Sequence, residues 1–152
     1  MIGPEPVPIF IKRLPHHEGL SLPSYSTSGS SGMDLVAAVS EDFTLLPGKR
    51  ALIPTGISIS LPRGYEAQIR PRSGLALKHG ITMLNTPGTI DSDYRGEIRL
   101  VVINLGQEPF TIQRGMRIAQ MIVSQYVTAD FKIVDELDVT LRNKEGFGHT
   151  GV

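Results

Sequence analysis

Cysteine is absent from the 152 residues, which excludes a disulfide scaffold, a thiolate metal site and a cysteine nucleophile and points to a reducing compartment. Net charge is absent too. Lys and Arg total 15 against 15 Asp and Glu, so the chain lacks the electrostatic footprint of a protein that holds long nucleic acids or anionic membranes. No stretch approaches the roughly 20 apolar residues of a membrane span. The opening, MIGPEPVPIF, lacks the basic and apolar regions of a secretion signal. The expectation is a soluble, cytoplasmic protein with no nucleic acid polymer and no membrane among its partners. Several catalytic devices are missing as well. Neither a G-x-S-x-G elbow nor a phosphate-binding G-x-x-x-x-G-K-[ST] loop occurs, and His16, His17, His79 and His149 show no spacing that sets two rings on one zinc ion.

What the chain holds instead is turn chemistry. Glycine, at 16 residues, and proline, at 11, exceed ordinary usage, which means many turns, few long helices and an all-β chain. A chain of this length with 40% hydrophobic residues supports one core rather than two. Period-two alternation marks the strands. The first runs from Pro8 to Leu14 and stops at Pro15; the second carries Met33, Leu35, Ala37 and Val39. Ala51 to Leu61 reads as one long strand kinked at Pro54 and Gly56, and Tyr65 to Arg70 follows it. Ile81 to Leu84, Ile98 to Leu105, Phe110 to Ile112 and Met116 to Val127 complete the set. Leu45-Leu46-Pro47-Gly48 reads as a turn, and Leu75 to His79, ended by Gly80, is the one short helix. The connector from Asn85 to Gly96 is too polar and too glycine-rich to be core. Short strands between turns, with no internal repeat, predict a sandwich or barrel. Residues 1–141 form the predicted β domain. Residues 142–152, RNKEGFGHTGV, have no periodicity and are predicted to be a flexible arm that orders only around a ligand.

Three segments carry polar chemistry. Gly146-Phe147-Gly148-His149-Thr150-Gly151 fits G-x-G-x-x-G, yet one residue follows it, so no helix can hold a pyrophosphate and the dinucleotide reading fails. Its glycines still let backbone N–H groups approach a phosphate, and Phe147 offers a face to a base; a frayed terminus is the alternative. Pro71-Arg72-Ser73-Gly74 stands where a strand turns into the helix. There N–H donors, a hydroxyl and a guanidinium can converge on an anion, or the segment is an ordinary helix start with a serine cap. In Ile90-Asp91-Ser92-Asp93-Tyr94 the acids lie two apart, so on an extended backbone both carboxylates leave one face and Tyr94 the other. Such carboxylates can take a proton from water, hold a hard cation, or simply cap a loop.

Taken in order, Ser31-Gly32-Met33-Asp34-Leu35, Pro71-Arg72-Ser73-Gly74, Gly88-Thr89-Ile90-Asp91-Ser92-Asp93-Tyr94-Arg95-Gly96, Arg114-Gly115-Met116-Arg117-Ile118-Ala119-Gln120 and the glycine-rich tail resemble the five motifs of the trimeric deoxyuridine triphosphatases, the dUTPases. The resemblance runs from about residue 8 to the end. It implies a jelly-roll-like β fold of the β-clip type, a homotrimer with shared active sites, and conversion of dUTP and water to dUMP and pyrophosphate with Mg²⁺. That activity supplies dUMP for thymidylate synthesis and keeps uracil out of DNA. Residue by residue, the resemblance implies Asp91 as general base and Asp34 as the acid that meets the metal through water. Tyr94 packs under the deoxyribose and leaves no space for a 2′-hydroxyl. Asn85 with the backbone of Gly88, Thr89, Ile90 and Asp91 reads uracil. Arg72, Ser73, Gly74 and Gln120 contact phosphates, Arg99 touches substrate, and Arg142, Phe147, Gly148 and Thr150 form the closing arm. Asn143 and Glu145 stand where relatives carry glycine, which predicts a stiffer arm and weaker closure with activity retained.

Two competing readings make different demands. A dCTP deaminase, similar in fold, needs a catalytic glutamate where this chain has Val101. A non-enzymatic sensor would bind dUTP without turnover, and an intact Asp91 argues against it.

Overall fold

Eleven strands and one short helix make up residues 5–147, which the computed structural model describes. Ahead of the helix come β1 (Phe10–Arg13), β2 (Gly32–Val36), β3 (Phe43–Leu45), β4 (Arg50–Pro54), β5 (Ile57–Ser60) and β6 (Tyr65–Pro71). The helix is α1 (Ser73–His79). After it come β7 (Ile81–Met83), β8 (Gly88–Ile90), β9 (Arg99–Asn104), β10 (Phe110–Ile112) and β11 (Arg117–Gln125). A 3₁₀ turn at Pro15–His17 follows β1. Every strand pairing is antiparallel, in four small open sheets: β1-β5, β3-β10, β2-β11-β6-β8 and β4-β9-β7. No closed barrel forms among the described residues; the expected jelly-roll-like all-β fold is layered.

Alternation explains why the sheets stack. In β9, Leu100, Val102 and Asn104 turn inward while their neighbours do not, and Ala67 and Ile69 of β6 and Ile53 of β4 do the same. Together with Leu35, Leu45, Ile57, Ile59, Ile81, Ile112 and Met121 they form one continuous core. Each fully buried leucine or isoleucine contributes about 1.5–3 kcal/mol. The buried Asn104 is satisfied: it donates to Leu45 O at 2.9 Å and Glu108 O at 2.8 Å, and accepts from Gly106 N–H at 2.9 Å.

The departures from sequence expectation have local causes. The long Ala51–Leu61 strand is two strands in different sheets. Gly56 breaks it with φ +70°, at a corner where a Cβ would lie 2.8 Å from His17 Cβ. Strand β2 stops at Val36, because Ala37 N–H turns to Met116 O and Ala38 N–H to Pro54 O. Leu45, expected in a turn, is a buried strand end paired with Phe110. The helix begins at Ser73, so Ser73 is its first residue rather than its cap, and Gly80 closes it in the left-handed conformation. Most consequentially, the connector from Asn85 to Gly96 contributes β8, paired with β6 through Ile69 and Gly88, Gln68 and Thr89, and Ala67 and Ile90. Gly88 is buried there, and an added Cβ would stand only 3.3 Å from Ile69 Cβ.

Beyond Gln125 the described chain has neither helix nor strand. Val127, Phe131, Ile133, Leu137, Val139 and Leu141 lie almost wholly exposed along it.

Candidate active site

The predicted site residues fall into two clefts that share no lining residue. The first, about 220 Å³, is lined by Asn85, Gly88, Thr89, Ile90, Asp91, Tyr94 and Arg99, with Ile69, Met83, Glu97, Leu100 and Val101. The second, about 440 Å³, holds Asp34, Arg72, Ser73 and Gln120 beside the Ser26–Gly32 loop. Gly74 is exposed on the first turn of α1 and lines neither; Arg142 and Phe147 are exposed on the terminal segment. Gly148 and Thr150 lie outside the described residues.

The first cleft is shaped by glycine and by turns. β8 is the edge strand of its sheet, so one side of the Gly88–Ile90 backbone is bonded to β6 and the other offers free N–H and C=O groups. Thr86, just upstream, donates its hydroxyl to Met83 O. The stretch after β8 is not extended: Tyr94 N–H bonds Asp91 O at 3.1 Å and Arg95 folds back onto Ser92 O and Tyr94 O. That turn overturns the expectation that Asp91 and Asp93 share one face of an extended backbone. They do meet at one place, since both border a small adjoining cleft with Glu66, Ser92 and Tyr126. Asp91 alone among the predicted residues borders both this space and the first cleft. The Tyr94 ring lies over Gly96, where a Cβ would come 2.4 Å from its hydroxyl oxygen, and that hydroxyl donates to Glu97 O at 2.9 Å.

At the second cleft two guanidinium groups face one carboxylate, Arg72 from the lining and Arg117 from just outside it. Arg72 Nε stands 3.0 Å from Asp34 Oδ1 and Arg117 reaches Asp34 Oδ2 at 3.3 Å. The surplus positive charge suits an anion. Gln120 donates to Pro71 O at 2.9 Å, and its Oε1 is 2.5 Å from where a Cβ on Gly32 would sit, so a side chain at position 32 would push the Gln120 amide out of this place. Arg72, Ser73 and Asp34 come together because Gln120 on β11 faces Asp34 on β2 in one direction and Arg70 on β6 in the other.

A family model described as dUTPase matches residues 18–151. The chain belongs to the dUTPase family. It is 61% identical to the deoxyuridine 5′-triphosphate nucleotidohydrolase of Caldanaerobacter subterraneus subsp. tengcongensis over 93% of this chain and 96% of that protein. With the enzyme of the same name from Beijerinckia indica subsp. indica it shares 56% identity, over 99% of this chain and 96% of the relative. Among solved structures, the Staphylococcus bacteriophage 80alpha dUTPase with dUPNHPP superposes with a TM-score of 0.86 at 25% identity, covering 95% of this chain and 99% of that one. A mutant dUTPase from phage phi11 of S. aureus, described with a structural Mg(II) ion, gives 0.76 at 22% identity over 85% and 97% of the two chains. This dUTPase is therefore an enzyme, a hydrolase of nucleotide metabolism whose reaction is the hydrolysis of dUTP.

Sequence reasoning missed Glu97. Its carboxylate accepts from Gly56 N–H at 2.9 Å and pairs with His16 at 2.6 Å and Arg99 at 3.1 Å. Burial works against its ionised form, but these donors outweigh it and hold the carboxyl below its ordinary value of 4.5. The available signal was its spacing: Glu97 and Arg99, two apart in an extended run, share a face.

Proposed function

We propose that this dUTPase cleaves dUTP between the α- and β-phosphorus atoms, with Asp91 as general base for a water that attacks the α-phosphorus, giving dUMP and pyrophosphate. The observation that carries the reading is the position of Asp91, which borders both the first cleft and the adjoining polar space. Asn85 and the free edge of β8 read the hydrogen-bonding edge of uracil. Tyr94, fixed by its hydroxyl, stands against the deoxyribose and excludes a 2′-hydroxyl, while Arg99 contacts substrate from the wall. Arg72, Ser73, Gly74 and Gln120 take the phosphates. A carboxylate that removes the proton as the bond forms contributes about 10²–10⁴-fold.

The donor set speaks to the metal. Among the described residues no three His, Asp or Glu side chains group to hold an ion, and both Asp34 oxygens already face arginines. That leaves the described residues of one chain without a ready-made cage. It fits Mg²⁺ carried on the triphosphate, because this ion keeps waters and phosphate oxygens and needs only one or two carboxylates. Asp34 would hold it through water, and bound there it would mask phosphate charge.

One substrate must meet both residue sets, and the two clefts of one chain share no wall. We read this as support for a homotrimer with active sites shared between copies, and the exposed apolar residues between Val127 and Leu141 offer such copies a contact surface. Residues 1–141 act as the β domain, with 142–152 closing over substrate to exclude water. Its setting is cytoplasmic, where it supplies dUMP and limits uracil in DNA; no helix among the described residues is long and apolar enough to cross a membrane.

A nucleotide panel with pyrophosphate detection, with and without chelator, tests the chemistry: release from dUTP alone, lost on chelation, is expected. Mixing Asp91→Asn and Arg72→Ala copies tests the sharing. Activity recovered in mixed trimers supports composite sites; none recovered assigns each site to one chain.

A further inference from the structure

We infer that Glu97 is a positioning and specificity-determining residue of the first cleft, clamping Arg99 and the Tyr94 loop to the body of the fold, with His16 as its outer anchor. This rests on the reading of that cleft as the dUTP pocket. The Glu97 side chain is only 9% exposed, and a carboxylate so stripped of water needs several donors. It has three, and they come from separate parts of the chain. His16 from the 3₁₀ turn and Gly56 N–H from the corner between β4 and β5 converge on Oε1, while Arg99 from β9 takes Oε2.

The surroundings make this a fixed point. Ile98 N–H bonds Ile57 O at 2.9 Å, the Thr55 hydroxyl bonds Ile98 O at 2.6 Å, and Leu14 N–H bonds Gly56 O at 2.8 Å. His17, buried, packs directly against Gly56. Arg114 donates to His16 O and Glu18 O, holding the 3₁₀ turn from its other side. Glu97 thus ties two elements of the cleft to that fixed body. Arg99, with a side chain 56% exposed, would otherwise sample many rotamers; its guanidinium is held at the wall before substrate arrives. Tyr94, whose hydroxyl donates to the Glu97 carbonyl, is kept at the sugar position. Neither contact involves the reacting phosphorus, so the effect belongs to binding and to sugar discrimination rather than to the chemical step.

The test is steady-state kinetics with dUTP and UTP on the full-length enzyme, Glu97→Gln, His16→Ala and the double variant, each checked for fold by circular dichroism. Glu97→Gln is expected to raise KM for dUTP about five- to tenfold, to leave kcat within about twofold, and to narrow the dUTP-over-UTP ratio of kcat/KM. His16→Ala should move the same quantities about two- to threefold, and the double variant should match Glu97→Gln alone because His16 acts through Glu97. A residue that only stabilises the fold would reduce the active fraction and leave KM and the ratio in place. A folded Glu97→Gln enzyme with wild-type KM and ratio overturns the inference. If that variant does not fold, His16→Ala at its exposed position decides in the same terms. Wild-type protein without dUTP turnover would overturn the underlying reading of the cleft instead, so the two failures are distinguishable.

Discussion

Around the first cleft, beside Asp91 and β8, the polar side chains are held by the chain itself: Tyr94 by the Glu97 carbonyl, Arg95 by two loop carbonyls, and Arg99 by the Glu97 carboxylate. Around the Asp34–Arg72 cleft the Ser26–Gly32 loop is mostly exposed, and one carboxylate is outnumbered by two guanidinium groups. On the proposed reading, in which the first cleft takes the base and sugar and the second the phosphates, the difference follows from what each must bind. Telling one base or sugar from another requires donors fixed in advance, because any freedom lets the wrong ligand fit. Holding a triphosphate requires surplus positive charge and room for a cation, and charge acts without tight register.

The sharpest break in that comparison is Asp91→Asn. It keeps the shape of the fixed cleft, so dUTP binding should change little while turnover falls about 10²–10⁴-fold; isothermal binding beside single-turnover kinetics checks the split. A chain ended after Leu141 probes the open side. It should keep the wild-type circular dichroism spectrum, since among the described residues no strand lies beyond Gln125, and lose roughly 10–100-fold in kcat/KM. Tyr94→Ala should leave dUTP hydrolysis measurable and reduce the preference over UTP by about tenfold, read from the two kcat/KM values. The smallest effect concerns acid. Burial first, then the nearby Arg13 charge, holds the His17 pKa below 6.5, so the neutral ring favours the fold. That stability is complete above about pH 6.5 and is lost as pH falls through the lowered folded value. Thermal midpoints between pH 7.5 and 5 should therefore fall less steeply in His17→Gln than in the wild type.

Much of the site was legible because its motifs are local. Asp91, Tyr94 and the glycines around them lie within nine residues of sequence, and a reader needs only their order. The turn at Asp91–Tyr94 was not legible, since a D-x-D pair fits an extended backbone and a turn equally well. Nor was β8: three residues beginning with glycine carry no strand signal alone, and they become a strand only because Ile69 and Gln68 of β6 offer a partner. Asn143 shows the reverse. Standing where the family resemblance leads one to expect glycine, it adopts φ +46°, a conformation asparagine tolerates better than most residues, while Arg142 Nε donates to the Glu145 carbonyl at 3.0 Å and closes the same turn.

The sequence by itself determined the all-β class, the inward-facing alternate residues and which residues are proposed as reactive groups, because side-chain period and chemical type are properties of the chain alone. Tertiary structure decided that the groups divide between two clefts and that Gly56 splits one apolar run into two sheets. It also decided that a glutamate without any motif, Glu97, became the meeting point of His16, Gly56 and Arg99. Those three positions lie as many as 81 residues from Glu97 in sequence, and only folding brings such donors to one buried charge.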